Sequence, residues 1–275
     1  MTQPTLKSVV LCADDYALNT PVSQGIVALA LLGRLSATSV MVRSPTWEQD
    51  AVALRDVRHR LDVGLHLDWT SHFAKQAGFG AGLGRVMLRA CMGGFDAQAA
   101  RDEIERQLDA FETHWQAPPD HVDGHQHIQQ FAGLREPLLE VLTRRYGTQA
   151  KRPWLRVSQV AQPGLKSQII SRMGAFALQD WAEQHGWPAV APLLGVYGFD
   201  GSLTDYAQHM QGWLRAVPQA EQPALIMCHP ALSAQVDDDI GAARVREFAY
   251  LASDDFVQHL RDAHVRVVRA SESFA

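Results

Sequence analysis

Chemistry in this chain concentrates in Asp14, Asp15, His66, His125 and His229, each in or just after a short apolar segment. Asp14-Asp15 follows 8–13 (SVVLCA), and His66 lies within 61–70 (LDVGLHLDWT). His125 belongs to Asp123-Gly124-His125-Gln126-His127, and His229 follows 224–228 (ALIMC). Two histidines and one carboxylate make a common open metal site, with positions left for water and substrate. A metal held in that way lowers the pKa of its bound water towards ~7. Adjacent aspartates point to opposite sides of an extended backbone. A bend at the strand end would let one bind metal while the other faces the water. Each piece also has a plain structural alternative: an Asp pair caps a helix, a histidine among apolar residues is a hydrogen-bonded core residue, and a His before Pro230 is a turn. The HxH at 125–127 is a metal signal of intermediate strength, since both rings can face one side of an extended segment. Thr20 is available as the cap of the next helix, which frees the aspartates. All four sites coincide with the same end of strand-like segments, and jointly the plain alternatives become implausible.

The elements that must position them alternate from end to end. The run 8–13 has the continuous apolar character of a strand buried on both faces. Pro21 fits the first position of a helix that Gly33 stops, with Val22, Ile26, Leu29 and Ala30 at helical spacing. Strands are expected at 35–42, 61–70, 121–124, 154–158, 189–196, 224–228 and 265–268. Helices are expected at 96–115, with Ile104, Leu108, Phe111 and Trp115 on one face, and at 133–146, 165–185, 205–216, 242–252 and 254–264. A Gly-rich excursion, 71–94, carries Gly78, Gly80, Gly82 and Gly84 without the GK[ST] sequence of a phosphate loop or the signal of a helix start, so it reads as a flap or packed surface loop. Strands alternating with helices imply a parallel sheet closed, or nearly closed, into a single-domain (β/α) barrel over 1–275. Its active face lies at the carboxyl ends of the strands. A doubly wound open sheet is the runner-up, weakened by the absence of GxGxxG from the first βα turn.

Composition narrows the partners. With 47% hydrophobic and 20% charged residues among 275, the chain is an ordinary globular one. A net charge of -5 and the lack of a basic run give no reason to expect nucleic acid. The short polar start is unlike a signal peptide, and no apolar run is long enough to span a bilayer. Cys12, Cys91 and Cys228 are odd in number and far apart, so a reduced, cytoplasmic protein is expected. His59, His72, His114, His185, His209, His259 and His264 fall in helices or loops and read as surface residues without partners. The tryptophans at 47, 115, 154, 181, 187 and 213 read as packing, and Trp69 as the one near the cleft.

These motifs resemble the YdjC-like carbohydrate deacetylases, the family that includes chitooligosaccharide deacetylases. The matching segments are LCADDYAL (11–18), the stretch from Gly25 ending GRLSATSVMV (33–42), VGLHLDWT (63–70), HVDGHQHI (121–128), WLR (154–156) and MCHP (227–230). Arg246-Glu247 and Leu251 resemble the closing R-E…L pattern. The resemblance implies a distorted barrel, often a homodimer, holding one divalent ion such as Mg²⁺ or Zn²⁺. Carried over, the metal ligands are Asp15, His66 and His125, the general base is Asp14 and the general acid His229. Asp123, His127 and Arg156 match positions near the site. Tyr16-Ala17 stands where Phe-Gly is usual, Ala231 replaces a common glycine, and a proline usual after the HxH is displaced to Pro137. The activity implied is removal of an N-acetyl group from an amino sugar or its conjugate. A metal-dependent amidase or phosphoesterase is the competing enzyme reading. Phosphate chemistry wants extra basic residues near the strand ends, where Arg43 and Arg156 are the obvious ones. An inactive glycan-binding protein is the third reading.

Overall fold

The computed structural model describes residues 6–161 and 164–274. The apolar runs form strands and the amphipathic stretches between them form helices in near-strict alternation. In chain order these are β1 (Lys7–Tyr16), α1 (Thr20–Leu31), β2 (Ala37–Val40), α2 (Trp47–Arg55) and β3 (Asp62–Leu67). Then come α3 (His72–Gln76), α4 (Leu83–Cys91), α5 (Ala97–Trp115), β4 (His121–Gly124), α6 (Arg135–Tyr146) and β5 (Trp154–Arg156). The rest comprises α7 (Leu165–Arg172), α8 (Ala175–Gln184), β6 (Ala189–Val190), β7 (Leu193–Leu194), α9 (Leu203–Ala216), β8 (Ala224–Cys228), α10 (Gly241–Ala252), α11 (Asp254–Asp262) and β9 (Val265–Val267).

The strands hydrogen-bond in the order β6-β5-β4-β3-β2-β1-β8-β7, every pair parallel. β6 pairs with β5, and β7, three residues further on, pairs with β8, so the sheet curls into a nearly closed barrel. The expected strand at 189–196 is therefore two short pieces interrupted at Pro192, which has no N–H for the ladder. β9 pairs with β1 at Lys7–Val9, below the register Cys12–Tyr16 at which β2 joins β1. No helix is long and apolar enough to cross a membrane among the described residues.

The two-residue period of the strands sorts their side chains. Val9, Leu11 and Ala13 of β1 pack into the helix layer, while Val10 and Cys12 belong to a separate inner cluster with Ala37, Trp154 and Leu225. The interior of this barrel is polar as well as apolar. Ser39, His121, Asp123 and Arg156 are all fully buried, in place of the usual layers of branched aliphatics. His121 stacks on Trp154 with ring centroids 4.2 Å apart. Gly64 admits that ring, since a Cβ there would lie 2.3 Å from His121 Cδ2.

Several boundaries differ from the sequence-based expectation for local physical reasons. The N-cap of α1 is Asn19, whose Oδ1 accepts from Val22 N, and not Thr20. The Gly-rich stretch 71–94 holds two short helices; Ser71 caps the first, accepting from Phe73 N and Ala74 N. The helix expected over 165–185 breaks into α7 and α8 at Gly174, at φ +117, where a Cβ would meet Gln130 O at 1.9 Å. Helix α5 follows expectation, capped by Asp96 and burying Ile104, Leu108, Phe111 and Trp115. Each of these is worth roughly 1.5–3 kcal/mol against exposure. His185, His209 and His259 do have partners: the first two stack on Trp181 and Trp213, and His259 meets Tyr250 Oη at 2.8 Å.

Candidate active site

Parallel register brings the carboxyl ends of β1, β3, β4, β5 and β8 to one rim, and the residues singled out by motif meet there. Asp14 keeps the inward direction of Cys12. Asp15 does not follow the alternation, because its backbone turns left-handed (φ 68). That turn lets neighbouring carboxylates face a single cavity of about 1080 Å³, also lined by His66, His125, His127 and His229. Ala17 is left-handed too (φ 70), at a position where glycine carries no Cβ penalty. The Tyr16 hydroxyl that distinguishes it from phenylalanine donates to Asp50 O at 2.8 Å.

Asp15, His66 and His125 form a compact donor set. Asp15 Oδ1 lies 3.4 Å from His66 Nε2 and 3.1 Å from His125 Nδ1. The three offer one oxygen and two nitrogens within 4.8 Å of one another, two residues buried and one half-buried. Carboxylate and imidazole donors of this kind, open to a cavity on one side, suit a divalent ion of the Zn²⁺ or Mg²⁺ class. Neighbours fix two of the three donors. Asp123 Oδ1 sits 2.6 Å from His66 Nδ1, which directs Nε2 towards Asp15. Arg244 donates to Asp15 Oδ2 at 2.7 Å and to Asp238 Oδ2 at 2.6 Å. Burial works to raise the Asp15 carboxyl, yet Arg244 and His125 hold it well below the usual range. Burial likewise opposes a charge on His66, but Asp123 and the carboxylates around it push its pKa up to about 10.

Asp14 and His229 form the other half of the site. Arg156 grips Asp14 through two hydrogen bonds, Nη1 to Oδ2 at 2.8 Å and Nη2 to Oδ1 at 2.6 Å, and reaches Asp123 Oδ2 at 2.6 Å. Against burial, this guanidinium keeps both Asp14 and Asp123 below the ordinary carboxylate range. His229 Nε2 is 3.8 Å from Asp14 Oδ2, too long for a direct hydrogen bond. Its ring meets Phe199 edge-on at 5.2 Å, and its backbone N–H donates to Glu247 Oε2 at 2.6 Å. Tyr197 Oη donates to the other Glu247 oxygen at 2.6 Å.

The remaining expectations resolve as follows. The HxH is not extended: Gln126 and His127 are left-handed (φ 57 and 65), which separates the two rings. His125 faces Asp15, whereas His127 Nδ1 pairs with Ser158 Oγ at 3.0 Å. Burial, then the charge of Arg156, push His127 down to about 3, so it is neutral at pH 7. Trp69 lies away from the cavity lining, buried and edge-on to Phe79 at 5.6 Å. Cys12, His121 and Asp123 form a second cluster with metal-like spacing. There, however, Asp123 is already engaged by Arg156, Ser39 and His66, and burial pushes the Cys12 thiol up, away from the thiolate a metal needs.

Ser39, Ser158 and Arg244 are site-supporting residues that motif reasoning missed, and Glu247, noted only as part of the R-E pattern, joins them. Arg244 and Glu247 lie three apart on α10, inside its buried stripe with Ala243, Tyr250 and Leu251. Charge inside an apolar helical stripe is the signal that could have found them. Arg246, which the R-E pattern emphasised, instead donates to Phe199 O and Asp200 O.

Fold and site together define a (β/α)-barrel protein with a candidate metal centre at its carboxyl-end rim. The chain belongs to the YdjC-like protein family, whose model matches residues 8–262. It is 26% identical over 234 residues to a chitooligosaccharide deacetylase from Serratia marcescens, covering 82% of each chain. It is 29% identical over 154 residues to a human carbohydrate deacetylase, covering 52% of this chain and about half (47%) of that relative's length. Among solved structures, a proposed cellobiose-phosphate cleavage protein from Enterococcus faecalis shares the fold, at TM-score 0.70 and 20% identity over 98% of this chain and 100% of the other. The catalytic domain of a peptidoglycan N-acetylglucosamine deacetylase from Eubacterium rectale is a more distant fold relative, at TM-score 0.51 and 10% identity over 99% and 92% of the two chains.

Proposed function

We propose that this chain is a metal-dependent deacetylase that hydrolyses the N-acetyl group of an amino sugar or its conjugate. The observation that carries the reading is the convergence in one cavity of an Asp15/His66/His125 donor set with a second carboxylate, Asp14, and a histidine, His229, 3.8 Å from it. Its relatives named as carbohydrate and chitooligosaccharide deacetylases support the substrate class. A divalent ion held by Asp15, His66 and His125 supplies Lewis acidity towards the acyl oxygen and towards water. Asp14 takes the proton from the attacking water, and Arg156 keeps that carboxylate ionised and in one orientation. His229, held by Glu247 through its backbone and by Phe199 against its ring, hands a proton to the departing amine. Positioned proton transfer of this kind is worth ~10²–10⁴-fold in rate.

The two arginines that the sequence offered to a phosphoesterase are already committed. Arg156 is wholly buried against Asp14 and Asp123, and Arg43 is paired with Glu103 and lies over Phe79. Acetate release from N-acetylglucosamine oligomers, assayed beside phosphate release from p-nitrophenyl phosphate, tests the reading. Acetate release that stops on chelation and returns with added Zn²⁺ or Mg²⁺ is expected. An Asp14→Asn protein should bind metal normally and lose ~10²–10⁴-fold in kcat. Full activity in that variant would remove Asp14 from the base role.

A further inference from the structure

The cavity is larger than an acetylated sugar ring requires, and one of its walls is aliphatic. Its volume of about 1080 Å³ lies just above the roughly 300–1,000 Å³ that drug-sized ligands fill. Leu165, Ile169 and Ile170 of α7 and Met173 just after it line it, and α4 adds Leu83 and Met87. These groups neither donate nor accept, so a hydroxyl pressed against them would be left without a partner. They are also left uncovered: Leu165 is 75% and Ile169 42% exposed.

The place of α7 says which part of a substrate meets this wall. At its start, Lys166 Nζ donates to Tyr197 O at 2.9 Å and sits 5.0 Å over the Phe199 ring, itself edge-on to His229. Towards its end, Ile170 O accepts from Gln130 Nε2 at 2.7 Å, beside the turn that carries His125 and His127. The helix thus bridges the mouth from the His229 side to the metal-ligand side. Resting on the deacetylase reading above, the amine leaves on the His229 side, so the sugar lies there and the acyl group lies towards the donor set. Leu165, next to Lys166, lies on the sugar side, and Ile169 lies one turn further along the wall.

We infer that the substrate is amphiphilic: an N-acetylated amino sugar bearing an alkyl aglycone that lies along the α7 wall. The sugar places its amide between Asp14 and the donor set, and the chain leaves the cleft past Leu165. A wall inside the reacting cavity favours a substrate group over a second copy of this protein.

The test is a series of methyl, hexyl and decyl β-glycosides of N-acetylglucosamine, kept below micelle-forming concentrations, with the metal-loaded protein. Acetate release gives kcat/KM, and calorimetry with the chelated, inactive protein gives Kd. Half-burial of each methylene corresponds to about 2-fold, so kcat/KM should rise about 30-fold from methyl to hexyl, with Kd falling in parallel. In a Leu165→Gln/Ile169→Gln variant, the hexyl-to-methyl ratio should collapse towards one. A flat series with measurable turnover overturns the inference, as does an unchanged ratio in the variant. Chain-length dependence in a parallel N-acyl series, from acetyl to octanoyl, but not among the glycosides also overturns it, moving the chain to the acyl side. A variant that turns a dimer into a monomer in light scattering, with the ratio intact, overturns it in favour of an interface between copies. Absence of acetate from every member defeats the deacetylase reading instead, and chain-length-dependent Kd would then still uphold the wall as an alkyl site.

Discussion

Arg156→Met is the sharpest probe of how this site is held. The guanidinium is fully buried and joins Asp14, gripped by two hydrogen bonds, to Asp123 at 2.6 Å. Methionine fills similar volume but leaves two buried carboxylates without their cation. Removing one partner of a buried ion pair costs about 3–5 kcal/mol. Asp123 keeps Ser39 and His66, both at 2.6 Å, so the loss falls mainly on Asp14 and the lower half of that range is expected. At about 2–4 °C per kcal/mol for a chain of this size, Tm should fall by roughly 6–16 °C. The pH dependence carries the sign. In the native protein both carboxyls sit below their ordinary range, so their contribution is complete above the unfolded pKa and fades as pH falls through the lowered values. In the variant burial is unopposed and the Asp14 pKa rises; its penalty is full above the raised value and disappears as pH falls through it. The stability gap is therefore widest near neutrality and narrows towards about pH 4. Urea unfolding at both pH values measures it, and the acid limb of kcat/KM should move upward, because a protonated Asp14 takes no proton from water. A gap under about 1 kcal/mol at neutral pH, or one equal at both, would refute the claim that Arg156 holds this pair ionised.

Three further outcomes follow from the same geometry. Asp123→Asn leaves the three proposed metal donors intact but loses the carboxylate that orients His66, so metal affinity in a competition titration should drop by ~10–100-fold, and unchanged affinity would remove that positioning role. His66, pushed up to about 10 by the carboxylates at its two ring nitrogens, carries a proton in the metal-free protein at pH 8, and metal loading should release about one proton into a weakly buffered indicator solution. No release at pH 8 would mean that His66 is not displaced into the donor set. Glu247→Gln replaces one acceptor of the Tyr197 hydroxyl and the His229 N–H with an amide that donates, leaving a buried group mispaired at about 1–3 kcal/mol; kcat should fall while metal content, read by elemental analysis, stays constant.

Much of this architecture follows from local pattern. Apolar runs of β-branched and small residues read as strands covered on both faces, and the 3.6-residue stripe of Ile104, Leu108, Phe111 and Trp115 as a helix packed on them. Alternation then implied parallel strands and a shared carboxyl-end rim, which is why Asp14, Asp15, His66, His125 and His229 could be gathered without knowing their coordinates. Failures came where a contact distant in sequence overrode the local signal. Gly174 breaks a plausible long helix because Gln130 O passes where a Cβ would be, and the strand over 189–196 is interrupted at Pro192. His125 and His127 look equivalent in the chain, but left-handed backbone at Gln126 and His127 sends one ring to Asp15 and the other to Ser158.

The two adjacent aspartates show the same division. The residue types, their place after an apolar strand and the histidines at comparable places are local properties, and the chain alone determined that carboxylate and imidazole would meet. Which carboxylate does what is decided by tertiary structure. The left-handed turn at Asp15 points it to His66, His125 and Arg244, while Asp14, continuing the inward pleat, is taken by Arg156 from β5. Arg156 lies 142 residues away along the chain, and Arg244 lies 229 residues from Asp15. The charge state of a buried carboxylate depends on the cations packed against it, so no reading of neighbouring residues could supply it.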